Sequence, residues 1–269
     1  SIFTSMTNPE ERMDPWQEAL TCYKDFADEV ITVGEDWDYE FSWEKIGNVF
    51  QEGFDKCSGD WVIRMDLDYF FHENDLKMFR TVFEENPDAP AISFPKHQIF
   101  TPDRFTLKSK ICMAYNKKEY PDIKLNGGGD LCQPTLNGKE IKPINMPESD
   151  IPIWNYDTVF RTKEIIAEDR ARFARAWNRR FNNWEKGKGT PEKAFNAWLK
   201  MIKKRYKSHK TKLEISEHPK YIVDKLSSLN SEQFGHSAFG LKDKFFGEYD
   251  ESFSIWVKRF SWIFRWKDT

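Results

Sequence analysis

The chain has 269 residues, of which 16% are aromatic and 32% charged, with 11 Trp and 23 Phe. That length can bury a large core, the ring content excludes a disordered chain, and no apolar run reaches the roughly 18 residues of a membrane-spanning helix. The net charge of −3 hides a division, because Arg161 to Lys212 carries 17 Lys or Arg against 5 Asp or Glu, leaving the rest at −15. Cys22, Cys57, Cys112 and Cys132 lie far apart without a Cys-x-x-Cys pair. This spacing excludes the common zinc and disulfide patterns and fits a reducing compartment. No signal-peptide pattern opens the sequence, so a cytoplasmic location is expected.

Residues 2 to 100 alternate between strand and helix signals. Ile2-Phe3-Thr4 is an apolar entry that stops at Thr7-Asn8-Pro9. Asp14-Pro15 reads as an N-cap followed by a first-turn proline, and Trp16, Ala19, Leu20 and Tyr23 follow at helical spacing. Val30 to Val33 is rich in β-branched residues and ends at Gly34, as a buried strand does. Ile46, Val49, Phe50 and Phe54 repeat the helical period, which Ser58-Gly59 closes. Trp61 to Met65 is the next strand, Leu76, Phe79, Val82 and Phe83 the next helical stripe, and Ala91 to Phe94 a fourth strand. The order βαβαβαβ predicts an α/β fold with a mainly parallel sheet flanked by helices.

Glycines and prolines between residues 101 and 160, including Gly127-Gly128-Gly129 and Asn137-Gly138, predict hairpins and long loops. Ile166, Phe173, Trp177, Phe181 and Trp184 mark a helix from Thr162 to about Trp184, and Phe195, Leu199, Ile202 and Tyr206 mark another. Trp256 to Trp266 sets five Trp or Phe among Lys258, Arg259 and Arg265, with Lys267 following. It reads as a terminal element docked on the body, with an interfacial anchor as the alternative.

The most informative spot for chemistry is Asp66-Leu67-Asp68, directly after the strand ending at Met65. Open α/β sheets bind ligands outside the carboxyl ends of their strands. An i, i+2 pair in extended geometry points two carboxylates the same way roughly 6 to 7 Å apart. Their repulsion of about 2 to 3 kcal/mol is relieved by a hard divalent cation, whereas the plainer reading is a cap on the helix containing Leu76.

The run Gly59-Asp60-Trp61-Val62-Ile63-Arg64-Met65-Asp66-Leu67-Asp68 resembles the Gly-Asp, apolar strand, Asp-x-Asp signature of family 2 glycosyltransferases of the GT-A fold. The likeness extends to the Thr4-Ser5 entry, the acids after the second strand, and Asn48 and Gly53 on the intervening helix. The resemblance implies transfer of a sugar from a nucleotide-diphosphate sugar with inversion, assisted by Mg²⁺ or Mn²⁺. It implies that Asp68 ligates the metal directly and that Asp66 contacts the donor ribose or the metal through water. Thr4 and Ser5 would line the nucleotide pocket, with Glu35 or Asp36 on the base or ribose.

The general base is expected at Asp130, on the loop Gly127-Gly128-Gly129-Asp130. Asp157 is its rival or a metal-side group, and Glu148, Asp150 and Glu164 are further alternatives. Trp154-Asn155-Tyr156-Asp157 resembles a metal-side motif of some relatives, with Asn155 where they carry His. His97 and Lys96, Arg104 and Lys117 are candidate anion or acceptor contacts, each also readable as structural or solvated. Trp37, Tyr69, Trp154 and Tyr156 are candidate sugar platforms.

Residues 1–160 are therefore expected to form the nucleotide-sugar binding and catalytic domain, with 161–269 a basic, mostly helical C-terminal extension packed on it. Arg170, Arg172, Arg175, Arg179 and Arg180 follow Asp157, so the start of their helix is expected to reach the donor diphosphate. The remaining charge would attract a phosphorylated or lipid-linked acceptor, or the inner face of a membrane. No nucleic-acid motif surrounds these charges, and no nucleic-acid partner is expected. The alternatives are a nucleotidyltransferase that makes sugar nucleotides and a non-catalytic carbohydrate- or anion-binding adaptor.

Overall fold

The computed structural model describes residues 1–35, 37–126, 133–184 and 189–247. The first half alternates as the pattern predicts: β1 (Ile2–Ser5), α1 (Trp16–Phe26), β2 (Val30–Val33), α2 (Trp43–Lys56), β3 (Trp61–Arg64), β4 (Tyr69–Phe70) and α3 (Leu76–Glu84). A long hairpin follows, β5 (Ala91–Thr101) and β6 (Arg104–Asn116). A small one, β7 (Thr135–Leu136) and β8 (Lys139–Glu140), turns on Asn137 and Gly138, both at positive φ, as a two-residue type I′ turn requires. The chain continues through β9 (Ile153–Asn155), α4 (Lys163–Phe181), α5 (Pro191–Tyr206), β10 (Thr211–Lys212), α6 (Val223–Ser227), α7 (Phe234–Ser237) and α8 (Leu241–Phe246).

The main sheet runs in the order β2-β1-β3-β6-β5-β9-β4, with β10 paired to β6. β1 is parallel to β2 and β3, and β5 is parallel to β9, while β6 is antiparallel to both β3 and β5. β1, β2, β3, β5 and β9 thus share one direction, and the α/β fold of GT-A type is borne out. The fourth strand read from Ala91 does not adjoin β3; the returning arm of its own hairpin lies between them. Strand propensity alone does not reveal such an insertion, because it requires knowing which edge the hairpin joins.

Burial follows the predicted stripes. Tyr23 and Phe26 of α1 and Phe79 of α3 pack with Phe71 in one core; Phe26 and Phe71 lie 5.2 Å apart between centroids, and Phe79 meets both edge-on. A second core sets Phe3 and Val33 with Phe54 of α2 and Trp177 of α4, and a third joins α4, α5 and α7 around Phe100, Trp198 and Phe234. The Ser42 side chain caps α2 by accepting from the Lys45 amide at 3.2 Å.

Two expectations change. Pro15 is the N-cap of α1, and no side chain caps that helix; the Asp14 carboxylate accepts from Arg12 Nε at 3.1 Å and pairs with Arg161. Competition from a buried guanidinium outweighs a local cap. The α4 arginines are likewise engaged internally. Arg172 donates to the carbonyls of Tyr39 (2.6 Å) and Asp38 (3.1 Å), Arg175 and Arg179 hold Glu40, and Arg180 pairs with Glu44 at 3.1 Å. Much of the basic helix therefore fastens the acidic segment before α2, an assignment that net charge cannot make. Among the described residues no helix is long and apolar enough to cross a membrane, and Trp256 to Trp266 lies outside those residues.

Gly53 is read in sequence only as part of a family pattern, and its packing gives a direct test. A Cβ there would lie 2.2 Å from the buried Phe3 ring. Gly53→Ala is expected to destabilise the fold by about 1 to 3 kcal/mol through overpacking, measured by urea denaturation; an unchanged midpoint would contradict this close approach.

Candidate functional site

Asp66 and Asp68 follow the carboxyl end of β3 on a turn rather than an extended segment: the Tyr69 amide donates to the Asp66 carbonyl at 2.8 Å. The extended spacing expected for the pair does not apply. The turn is braced twice. The Tyr23 hydroxyl, from α1, sits 2.7 Å from the Asp66 carbonyl oxygen and 3.0 Å from that of Tyr69. The Tyr156 amide, just past β9, donates to the Asp68 carbonyl at 2.9 Å. That second bond brings Asp157 into electrostatic range of Asp68, although 89 positions separate them in sequence.

The turn opens on a cavity of about 360 Å³. Its walls are largely aromatic, with Trp37, Trp43, Phe50 and Phe173, and its polar lining includes Ser5, Asp66, Asp68 and Arg161. Trp37 and Trp43 are buried, and the ring N–H of each has no hydrogen-bond partner among the described residues. Thr4 and Glu35 are not among the lining residues. Thr4 is fully buried with an unpartnered hydroxyl, and the exposed Glu35 accepts from Thr32 Oγ1 at 3.2 Å. Asp36, Asp130 and the rest of the Gly127–Cys132 loop lie outside the described residues.

Sequence reasoning missed the buried ion network beside this cavity. Arg161, 4% exposed, pairs with Asp14 and lies 3.3 Å from Asp169; Arg12 reaches Asp169 at 3.2 Å and Asp14 at 3.1 Å. The available signals were Arg161 at the head of the basic block and Asp14 beside a proline, each with a plainer local reading. Asp157 carries Arg170 at 3.4 Å, and its backbone amide donates to the Asn155 side-chain oxygen at 2.8 Å. Burial alone would raise Asp157, but Arg170, Arg161 and Lys108 outweigh it and hold the carboxyl below the usual range. Asp68 goes the other way, pushed up first by burial and then by Asp157, Asp66 and Asp14.

Several of the remaining sequence candidates are engaged in structural contacts. Lys117 donates to the carbonyls of Phe54, Asp55 and Cys57 at the end of α2, and Arg104 pairs with Asp103 at 2.9 Å. His97 lies against Phe105 and Trp154, and burial lowers it to about 4. Glu148 pairs with Lys110. Tyr69 and Tyr156 are buried and spend their hydroxyls on Lys96 and His218, so neither presents a free sugar platform.

A divalent metal suits this donor set. Asp66 and Asp68 bring two carboxyl groups to one turn, and among the described residues Arg64 stands 3.9 Å from Asp66. Among the described residues no group of three or more His, Cys, Asp or Glu forms a complete cage. Mg²⁺ and similar hard cations do not need one, since one or two carboxylates plus substrate phosphates and water suffice.

An acidic turn at a strand's carboxyl end beside an aromatic cavity is where an open α/β sheet binds a ligand. Residues 41–136 match the family model described as Glycosyl transferase family 2, so the resemblance carried by the Gly59 to Asp68 run holds and supports a glycosyltransferase at the level of the family. No curated protein matches the chain. The matched segment contains Asp66 and Asp68 and stops short of Ser5, Asp14, Asp157 and Arg161 on either side.

Asp68 gives a pH prediction with a definite sign. Its folded value of about 8 lies above the unfolded value of about 3.9, so between these the folded state holds the extra proton and stability falls as pH rises. In EDTA, the melting temperature of the wild type is expected to drop between about pH 5 and about pH 8.5 by more than that of Asp68→Asn. Parallel curves for the two proteins would contradict the shift.

Proposed function

We propose that the protein is an inverting glycosyltransferase that moves a sugar from a nucleotide-diphosphate sugar to a glycan, lipid-linked or other hydroxyl acceptor. The observation that carries this reading is the Asp66–Asp68 turn, inside the family-matched segment, opening on the aromatic cavity with Ser5 and Arg161 in its wall. In this assignment residues 1–160 bind the donor and perform the chemistry, and the segment from 161 onward packs beside them and contributes Arg161 and Phe173 to the cavity.

Each residue then has a defined task. Trp37, Trp43 and Phe50 enclose the nucleoside, with their faces available for stacking on the base. Ser5 donates to the ribose or diphosphate, with Thr4 behind it and Glu35 or Asp36 as the base or ribose contact. Asp68 and Asp66 hold Mg²⁺ or Mn²⁺, whose charge offsets that of the departing diphosphate. Arg161, fixed by Asp14 and Asp169, keeps a positive charge on the cavity wall near the same oxygens. Asp130 accepts the proton of the acceptor hydroxyl as its oxygen bonds to the anomeric carbon and the bond to the diphosphate breaks. Asp157 is the weaker base because Arg170 favours its charged form, so it serves on the metal side.

The test separates binding from chemistry. Titration with UDP and GDP is expected to show binding that needs Mn²⁺ or Mg²⁺ and weakens at least about tenfold in Asp68→Asn. Asp130→Asn is expected to bind the nucleotide normally yet release it from a nucleotide-sugar panel about 10² to 10⁴ times more slowly. Full-strength binding without metal would remove the metal from the reading, and normal turnover in Asp130→Asn would transfer the base role to Asp157.

A further inference from the structure

Lys96 and Lys108 face one another across the β5–β6 hairpin as register partners. Directly opposed residues of an antiparallel pair leave the same face with Cβ atoms about 4.5 to 5.5 Å apart, and like charges so placed destabilise the sheet. Lys96 is 5% exposed, yet among the described residues its Nζ has only a neutral partner, the Tyr69 hydroxyl at 2.7 Å, with the Tyr69 ring 4.6 Å away. Lys108 is half-buried and has no hydrogen bond or ion pair among the described residues.

Neighbouring lysines on the same strand and just beyond it are satisfied: Lys110 by Glu148, Lys117 by three carbonyls and Lys118 by Asp60. The two opposed cations therefore stand out. The charges acting on Lys108 are the carboxylates of Asp157 and Asp68 and the guanidiniums of Arg205 and Arg170, with no carboxylate within ion-pair distance. Neither lysine lines the aromatic cavity. They belong to the strands beyond β3, whereas the cavity is walled from β1, α2 and α4. An anion held here would sit near the acid turn without occupying the nucleotide's space.

We infer that Lys96 and Lys108 form an anion subsite for the acceptor, recognising a phosphate or carboxylate carried near the hydroxyl that receives the sugar. This rests on the glycosyltransferase reading for the word acceptor, while the subsite itself rests on the opposed lysines. Lys108 makes the direct contact from the solvent side. Lys96, anchored by Tyr69, supplies a second fixed charge beneath it. An acceptor with a neutral group at that position leaves the repulsion between the lysines unrelieved, so the subsite selects acidic acceptors.

The full chain, with UDP or GDP and Mn²⁺, is titrated with glucose 6-phosphate, glucuronate and glucose. At least one anionic probe is expected to bind about tenfold or more tightly than glucose. Its rank against the other identifies phosphate or carboxylate as the preferred group. Lys108→Gln is expected to abolish the preference and Lys108→Arg to retain most of it, with thermal melting confirming that both variants fold. Equal binding of all three probes, or a preference that survives Lys108→Gln, overturns the subsite. Failure of the wild type to bind either nucleotide counts against the glycosyltransferase reading instead, and the same probes without nucleotide then decide the subsite on its own.

Discussion

A guanidinium removed from water needs carboxylates around it, and Arg161 has Asp14 and Asp169 as partners, with Arg12 tying the two acids together. Removing one partner from such a buried group typically costs about 3 to 5 kcal/mol, because the other charge is left without compensation. The network joins the entrance to α1 to a part of the chain remote in sequence, the approach to α4 and α4 itself. It also forms part of the wall of the aromatic cavity. These four side chains tie the long basic helix to the entrance of α1 beside the cavity.

Around that fixed frame the acid turn is held by backbone acceptors. Carbonyl oxygens of Asp66 and Tyr69 receive Tyr23 and that of Asp68 receives the Tyr156 amide, so these bonds hold the backbone of the turn without using its carboxylates. Burial and the approach of Asp157 disfavour the charged form of Asp68, which makes the turn receptive to a cation. The two neighbouring acids respond differently because Arg170 stands beside only one of them. The α4 arginines complete the arrangement by fastening the Asp38 to Glu44 segment, and this carries Trp37 and Trp43 into the cavity wall.

The hairpin β5–β6 adds a different constraint. By inserting β6 between β3 and β5, it sets Lys96 and Lys108 opposite each other and brings both into the field of the acid turn. Burial of Lys96, reinforced by the neighbouring Lys108 charge, lowers it to about 8. The site therefore combines a negative turn and a positive strand pair, with neither neutralised by direct contact with the other.

The sequence by itself determined the elements and a candidate site. Apolar periodicity set β1 to β3 and α1 to α5, Asn137-Gly138 set a tight hairpin, and Asp66-Leu67-Asp68 at a strand's carboxyl end marked the candidate site, because each depends on residues close together in the chain. Tertiary structure alone decided that Asp14 pairs with Arg161 instead of capping α1, that the α4 arginines bind the acidic segment before α2, and that Lys96 faces Lys108 next to Asp68. These outcomes depend on which distant groups compete for a buried charge. Burial strengthens that competition beyond any local preference, and the identity of the winner is fixed only when the sheet order brings the competitors together.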